Sequence, residues 1–202
     1  MSLSVGATVF ALIVPAELPD KTFIASLVLA TRFRAMPVVV GAALGFAVQA
    51  GIAVGAGSAV ALLPETPVHA VSAAIFALGA VLMLRGNTDT SREEEQEVEA
   101  GLAEVPAEPS TRRIILTSFI VLFVAEWGDL TQLLTASLSA KYHQPLSVFL
   151  GSWLGLVAVA GLAVTGGKAL LRIIPLVWVR RIAALAFGVV AVITALEAAK
   201  VM

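Results

Sequence analysis

Apolar residues run in long unbroken blocks along most of the chain, and polar residues are gathered between them. Blocks of about 20 residues or more, enough to cross a bilayer as a helix, fall at 3–30, 38–62, 68–85, 114–138, 146–171 and 176–199. This pattern predicts an all-α integral membrane protein with six transmembrane helices. A β-barrel would need ~10-residue segments that alternate apolar and polar residues. The blocks here are continuous and rich in Ala, Leu, Val and Gly. The first block exceeds the ~7–15 residues of a cleavable signal's apolar core, and "MSLSVG" places no basic residue before it. It is therefore expected to stay in the protein.

Composition agrees: 59% of the 202 residues are hydrophobic, 13% are charged, and mean hydropathy is +0.97. Cysteine is absent, which excludes disulfides and thiolate metal sites. A net charge of −1 leaves no basic footprint for nucleic acid. The basic residues set an orientation. Arg32, Arg34, Arg85, Arg92, Arg112, Arg113, Lys168, Arg172, Arg180 and Arg181 flank the connections 1–2, 3–4 and 5–6, and only Lys141 and Lys200 lie on the other side. Lys and Arg mark the cytoplasmic side, so both termini are expected outside, in a multi-pass protein of the cell (inner) membrane.

The longest connection, "GNTDTSREEEQEVEAGLAEVPAEPSTR", holds eight of the fourteen acidic residues and few apolar ones. It reads as a solvated cytoplasmic linker. Residues 87–112 are thus expected to separate two three-helix repeats, 1–86 and 113–202. Glu65 and Glu197 lie near helix ends. Four carboxylates remain inside apolar blocks.

Those four belong to a repeat. "AELPDKTFIASLVLA" at 16–30 aligns with "AEWGDLTQLLTASLS" at 125–139, matching Glu17 with Glu126, Asp20 with Asp129, Thr22 with Thr131 and Ser26 with Thr135. "GAALGFAVQAG" at 41–51 lies over "GSWLGLVAVAG" at 151–161, and "AAIFALGAV" at 73–81 resembles "IAALAFGVV" at 182–190. Each copy holds three helices, an odd number, so the second enters the membrane from the opposite side. Inverted repeats of this kind recur in secondary transporters, with the site near the midplane between the halves.

In a continuous helix, residues i and i+3 share a face, which would place Glu17 with Asp20 and Glu126 with Asp129. Each carboxylate at the bilayer centre costs ~2.5 kcal/mol or more, so four cost on the order of 10 kcal/mol before compensation. Protons, a metal ion or the nearby Lys21 could compensate them. Two pairs brought together form a set of hard oxygen donors suited to Ca2+ or Mn2+, with Thr22, Thr131 and Gln132 as auxiliary ligands. Without metal, carboxylates this close take up protons. Metal and protons then compete for the same groups, as exchange requires. Pro19 and Gly128 occupy the same slot between the acids, and both loosen a helix. Pro15 reads either as a kink or as part of that break.

In a small six-helix protein with an acidic central loop, the doubled "ELPDKT" and "EWGDLT" resemble the Glu-x-Gly-Asp-(Lys/Arg)-(Thr/Ser) motif of the Gdt-type cation/proton exchangers. That family includes Golgi Ca2+/Mn2+ transporters and bacterial Mn2+ exporters, and the resemblance covers nearly the whole chain. It implies Glu17, Asp20, Glu126 and Asp129 as the cation-binding acids, with Thr22, Thr131 and Gln132 beside them. It also implies Mn2+ or Ca2+ as transported substrate, H+ as counter-ion and no permanently bound cofactor. "ELPDKT" departs from the family motif at Pro19, and "EWGDLT" departs at Leu130, where a basic residue is usual.

The resulting expectation is a secondary transporter exchanging Mn2+ or Ca2+ for protons, exporting Mn2+ from the cytoplasm. The alternative is an exporter of amino acids or other organic cations on a related six-helix architecture. An enzyme is not expected, because the Tyr-Asp and Gly-x-Gly-Asp pairs of intramembrane aspartyl proteases are absent. Lys21 reads either as a gate or charge partner of the acids, or as a stem lying along its helix. Gln49, with Val159 as counterpart, either supports the site or bonds one helix to another. Trp127, between the second-half acids, reads either as lining the ion path or as packed against lipid or core, and His69 and His143 are expected as surface residues rather than proton relays. "GAALG", "GAGSA" and "GSWLG" are expected to let helices pack closely. A homodimer is left open by the sequence.

Overall fold

A helix of 15 residues is about 22 Å long, too short to cross a ~30 Å hydrocarbon layer by itself. That limit shapes the protein. The computed structural model describes residues 1–18, 20–85, 96, 98–100, 102, 109–173 and 176–201. In it, four helices are long and apolar enough to span a membrane: α3 (Ala35–Val60), α4 (Glu65–Arg85), α7 (Pro145–Ile173) and α8 (Leu176–Val201). The other two expected spans are each broken. α1 (Leu3–Glu17) and α2 (Lys21–Arg32) meet at a bend of 69°, and α5 (Thr111–Ala125) and α6 (Leu130–Tyr142) meet at 75°. Counting each bent pair as one span gives six. No strand occurs among the described residues.

The pairing of elements repeats between the halves. α1 packs on α7 as α5 packs on α3, α2 packs on α7 as α6 packs on α3, and α4 pairs with α8. Each half's broken helix thus leans on the other half's unbroken one, while α3 and α7 meet at the centre. Glycines permit the closest approaches. A Cβ at Gly41 would lie 2.4 Å from the Ile115 carbonyl on α5, and one at its counterpart Gly151 would lie 2.5 Å from the Gly6 carbonyl on α1. A Cβ at Gly57 would come within 2.1 Å of the Ala136 carbonyl on α6. The close packing expected of these glycine-rich segments is therefore present. Trp153 on α7 adds a hydrogen bond from Nε1 to the Ala43 carbonyl of α3 at 2.8 Å.

Side chains turned away from the bundle, among them Leu44, Val48 and Ile52 on α3 and Leu185, Val189 and Val192 on α8, are large, apolar and exposed. A surface of that kind needs lipid around it. Glu197 is not simply exposed at a helix end: its Oε2 lies 2.9 Å from Lys141 Nζ, which also donates to Thr194 Oγ1 at 2.7 Å, tying α6 to α8.

Most of the expected linker 87–112 lies outside the described residues. One residue that is described, Leu102, is fully buried against the core, and its carbonyl accepts from Arg32 Nη1 at 3.1 Å. The expectation of a wholly solvated segment is corrected at that point, because an apolar side chain in an acidic stretch still gains by leaving water.

Candidate functional site

The two breaks place the acids. Glu17 is the last residue of α1 and Asp20 is the N-cap of α2; Glu126 is the C-cap of α5 and Asp129 is the N-cap of α6. The sharing of one helical face within each pair is therefore corrected, since the chain leaves the helix between the two acids. At the second break Gly128 supplies the turn with φ +75°, a backbone region costly to other residues. Pro19, its counterpart, lies outside the described residues. Pro15 sits within α1.

Helix dipoles make the acids unequal. An anion is favoured at the N-terminus of a helix and disfavoured at the C-terminus. Asp20 and Asp129 hold the favourable ends, and Glu17 and Glu126 the unfavourable ones, so a cation relieves more strain at the two glutamates. Glu17 is fully buried and Glu126 nearly so, whereas Asp20 and Asp129 are half-buried.

Glu17, Glu126 and Asp129 converge, with one carboxylate oxygen from each lying within 4.8 Å of the others. A hard cation with oxygen ligands at ~2.3–2.6 Å holds opposite ligands about 5 Å apart. These three oxygens can therefore meet one ion with little movement. Asp20 stands outside this trio. Its Oδ1 accepts from the Lys21 amide at 2.8 Å, capping α2, while Asp129 makes no such cap with its side chain. Asp20 is nevertheless close enough to Glu17 and Glu126 to act on both electrostatically.

Thr131 crosses between the halves: its hydroxyl donates to Glu17 Oε1. Glu17 Oε2 has no hydrogen-bond partner among the described residues. Thr22 is buried beside Glu17, close enough to act on it, and its hydroxyl makes no well-formed hydrogen bond among the described residues. A buried oxygen without a partner costs ~1–3 kcal/mol, more when charged. Both atoms belong at a place where a ligand would satisfy them. Lys21 is exposed and near enough to Glu126 to act on it electrostatically.

Gln132 is engaged elsewhere. Its Oε1 accepts from the Gly128 amide at 2.9 Å, and its Nε2 donates to Gln49 Oε1. Gln49, in turn, donates from Nε2 to the Phe123 carbonyl at 2.7 Å, so it is the helix-to-helix bond that its sequence position allowed. Trp127 is exposed beside the Phe123 ring, with centroids 5.3 Å apart. His143 is the exposed C-cap of α6 and His69 is half-buried at the start of α4.

A family profile described as "Divalent cation/proton antiporter GDT1" matches residues 5–91 and 114–201. A GDT1-like protein of Synechocystis is 32% identical over 165 residues, covering 78% of this chain and 80% of that protein. A Vibrio cholerae protein named "Putative manganese exporter" is 32% identical over 198 residues, covering 96% of this chain and 90% of its own. GDT1-like protein 3 of Arabidopsis thaliana is 29% identical over 176 residues, and the chain spans 60% of its length. No solved structure matches.

Proposed function

The chain belongs to the GDT1 divalent cation/proton antiporter family, and from that premise we propose that it exports Mn2+ from the cytoplasm in exchange for inward-moving protons. Ca2+ is the second cation the same oxygens suit. The observation that carries the reading is the convergence of Glu17, Glu126 and Asp129 at the junction of two broken helices. With all three deprotonated, the trio offers a divalent ion hard ligands and more than balances its charge. Protons on the same oxygens remove both. A site that holds metal or protons but not both couples the two flows, because crossing requires one occupant or the other.

The flanking Lys and Arg favour a cytoplasmic linker and outward termini, and protons entering the cell across its inner membrane would drive the cation outward. The name carried by the Vibrio cholerae relative favours Mn2+ over Ca2+. Export of amino acids or other organic cations would call for a roomier, aromatic-lined site, whereas Glu17, Glu126 and Asp129 bring three carboxylate oxygens within 4.8 Å of one another. The test is uptake into proteoliposomes holding the purified protein, with Mn2+ or Ca2+ outside and an acid interior. Uptake that collapses when the pH gradient is dissipated supports exchange. Failure to move either ion under either gradient would sink the reading.

A further inference from the structure

The two breaks are duplicates in sequence and differ in what holds them. At the second break, three hydrogen bonds run in series: Gly128 amide to Gln132 Oε1, Gln132 Nε2 to Gln49 Oε1, and Gln49 Nε2 to the Phe123 carbonyl. The Phe123 carbonyl needs this partner. α5 stops at Ala125, and the Trp127 amide that would have reached back to residue 123 instead bonds to the Val124 carbonyl at 3.1 Å. In lipid an orphaned carbonyl has no water to turn to.

At the first break the counterparts of Gln132 and Gln49 are Phe23 and Val159. Both are buried and pack together with Ala163, Val14 and Leu18. The counterpart of the Phe123 carbonyl, that of Val14, is satisfied locally by the Leu18 amide at 3.1 Å. The turn of the second half-site is therefore tied by directional bonds to the unbroken α3, whereas the residues equivalent to Gln132 and Gln49 in the first half make apolar contacts instead.

We propose that Gln49 and Gln132 are positioning residues for the cation site: their amide relay fixes the turn that carries Glu126 and Asp129, and so presets two of the three converging oxygens. The relay's anchor, the Gly128 amide, lies between those two acids in the chain. A turn free to rotate would hold the acids apart by their mutual repulsion until a cation gathered them, and that cost would appear as weaker binding. α3, the helix bearing Gln49, is the rigid reference. The proposal rests on the cation site proposed above, and the experiment separates the two.

The measurement is Mn2+ binding to the full-length purified protein, followed by electron paramagnetic resonance of the free ion, alongside thermal unfolding in the same detergent. Gln132→Met is the primary variant, because it cuts the relay while leaving the Phe123 carbonyl bonded to Gln49. Gln49→Met cuts the other end and keeps the side chain's length. The relay reading expects Mn2+ affinity on the order of tenfold weaker in Gln132→Met, from losing bonds of ordinary strength. It also expects the double variant to be little worse than the weaker single one, since the relay acts as a unit. A purely structural role expects a lower unfolding temperature with unchanged affinity in the folded protein, and that result overturns the proposal. If Glu126→Gln binds Mn2+ as tightly as the wild type, the cation site itself fails and the positioning role fails with it. If Glu126→Gln loses binding but Gln132→Met does not, the site stands and only the relay is wrong.

Discussion

The Thr131 hydroxyl, from the second half of the chain, donates to the Glu17 carboxylate of the first. It is a direct polar link between the two half-sites, made at the acid that is most deeply buried. A hydrogen bond to a charged group contributes roughly 1.5–3 kcal/mol. Thr131→Val keeps the shape and removes the donor to Glu17 Oε1, the oxygen whose neighbour Oε2 already has no hydrogen-bond partner among the described residues. We expect cation affinity to fall by about tenfold or more, with Thr131→Ser restoring most of it. Transport measured over a range of Mn2+ concentrations checks this. An unchanged half-saturation point in Thr131→Val would mean that the bond does not serve the ion.

The four acids, equivalent in the motif, are not equivalent in the structure, and neutralising them one at a time should show it. Glu17→Gln, Glu126→Gln and Asp129→Asn each remove a converging oxygen charge and are expected to abolish exchange. Asp20→Asn is expected to leave measurable exchange with a raised KM. Asn still caps α2, and the loss is a longer-range attraction rather than one of the trio. Proteoliposome uptake by the four variants decides between this ranking and four equal losses.

Much of this arrangement was legible in the sequence, and what was not has a physical reason. Apolar blocks mark membrane depth regardless of backbone direction, so hydropathy draws all six spans and says nothing of the bends of 69° and 75° within two of them; Pro19 and Gly128 mark the slot where the chain breaks and not the angle. The acids were found because charge in an apolar block is costly and these recur in register. Their i,i+3 geometry was misjudged because that rule presumes a continuous helix. Gln49 stood out as a polar residue in an apolar block with Val159 opposite. Its partner was hidden because it is a main-chain carbonyl, Phe123, which the sequence does not mark as free. Leu102 shows the converse, a buried contact made by a segment whose composition says solvent.

Gly128 tests the turn separately from its chemistry. With φ at +75° and no atom within 4 Å of a built Cβ, Gly128→Ala meets strain from the backbone alone. A left-handed conformation costs an L-residue about 1–2 kcal/mol. The turn is expected to shift toward negative φ to escape that cost, carrying Glu126 and Asp129 out of register. Transport should fall by more than the modest drop in unfolding temperature would suggest. Equal, small effects on both would show that the turn tolerates its side chain.

The glycine seams predict where a single methyl group separates the helices. Gly57→Ala sets a Cβ 2.1 Å from the Ala136 carbonyl, a main-chain atom that can yield only if α3 and α6 move apart. Gly151→Ala does the same between α7 and α1, at 2.5 Å from the Gly6 carbonyl. Overpacking of this kind costs roughly 1–3 kcal/mol. Gly51 and Gly55 lie on the same helix as Gly57 and have nothing within 4 Å, so alanine there should be neutral or slightly stabilising through helix propensity. Thermal unfolding in detergent should therefore separate Gly57→Ala and Gly151→Ala, with clearly lower midpoints, from Gly51→Ala and Gly55→Ala. Because α3 and α7 each carry the other half's broken helix, the two destabilised variants should also lose Mn2+ binding before they lose helical content.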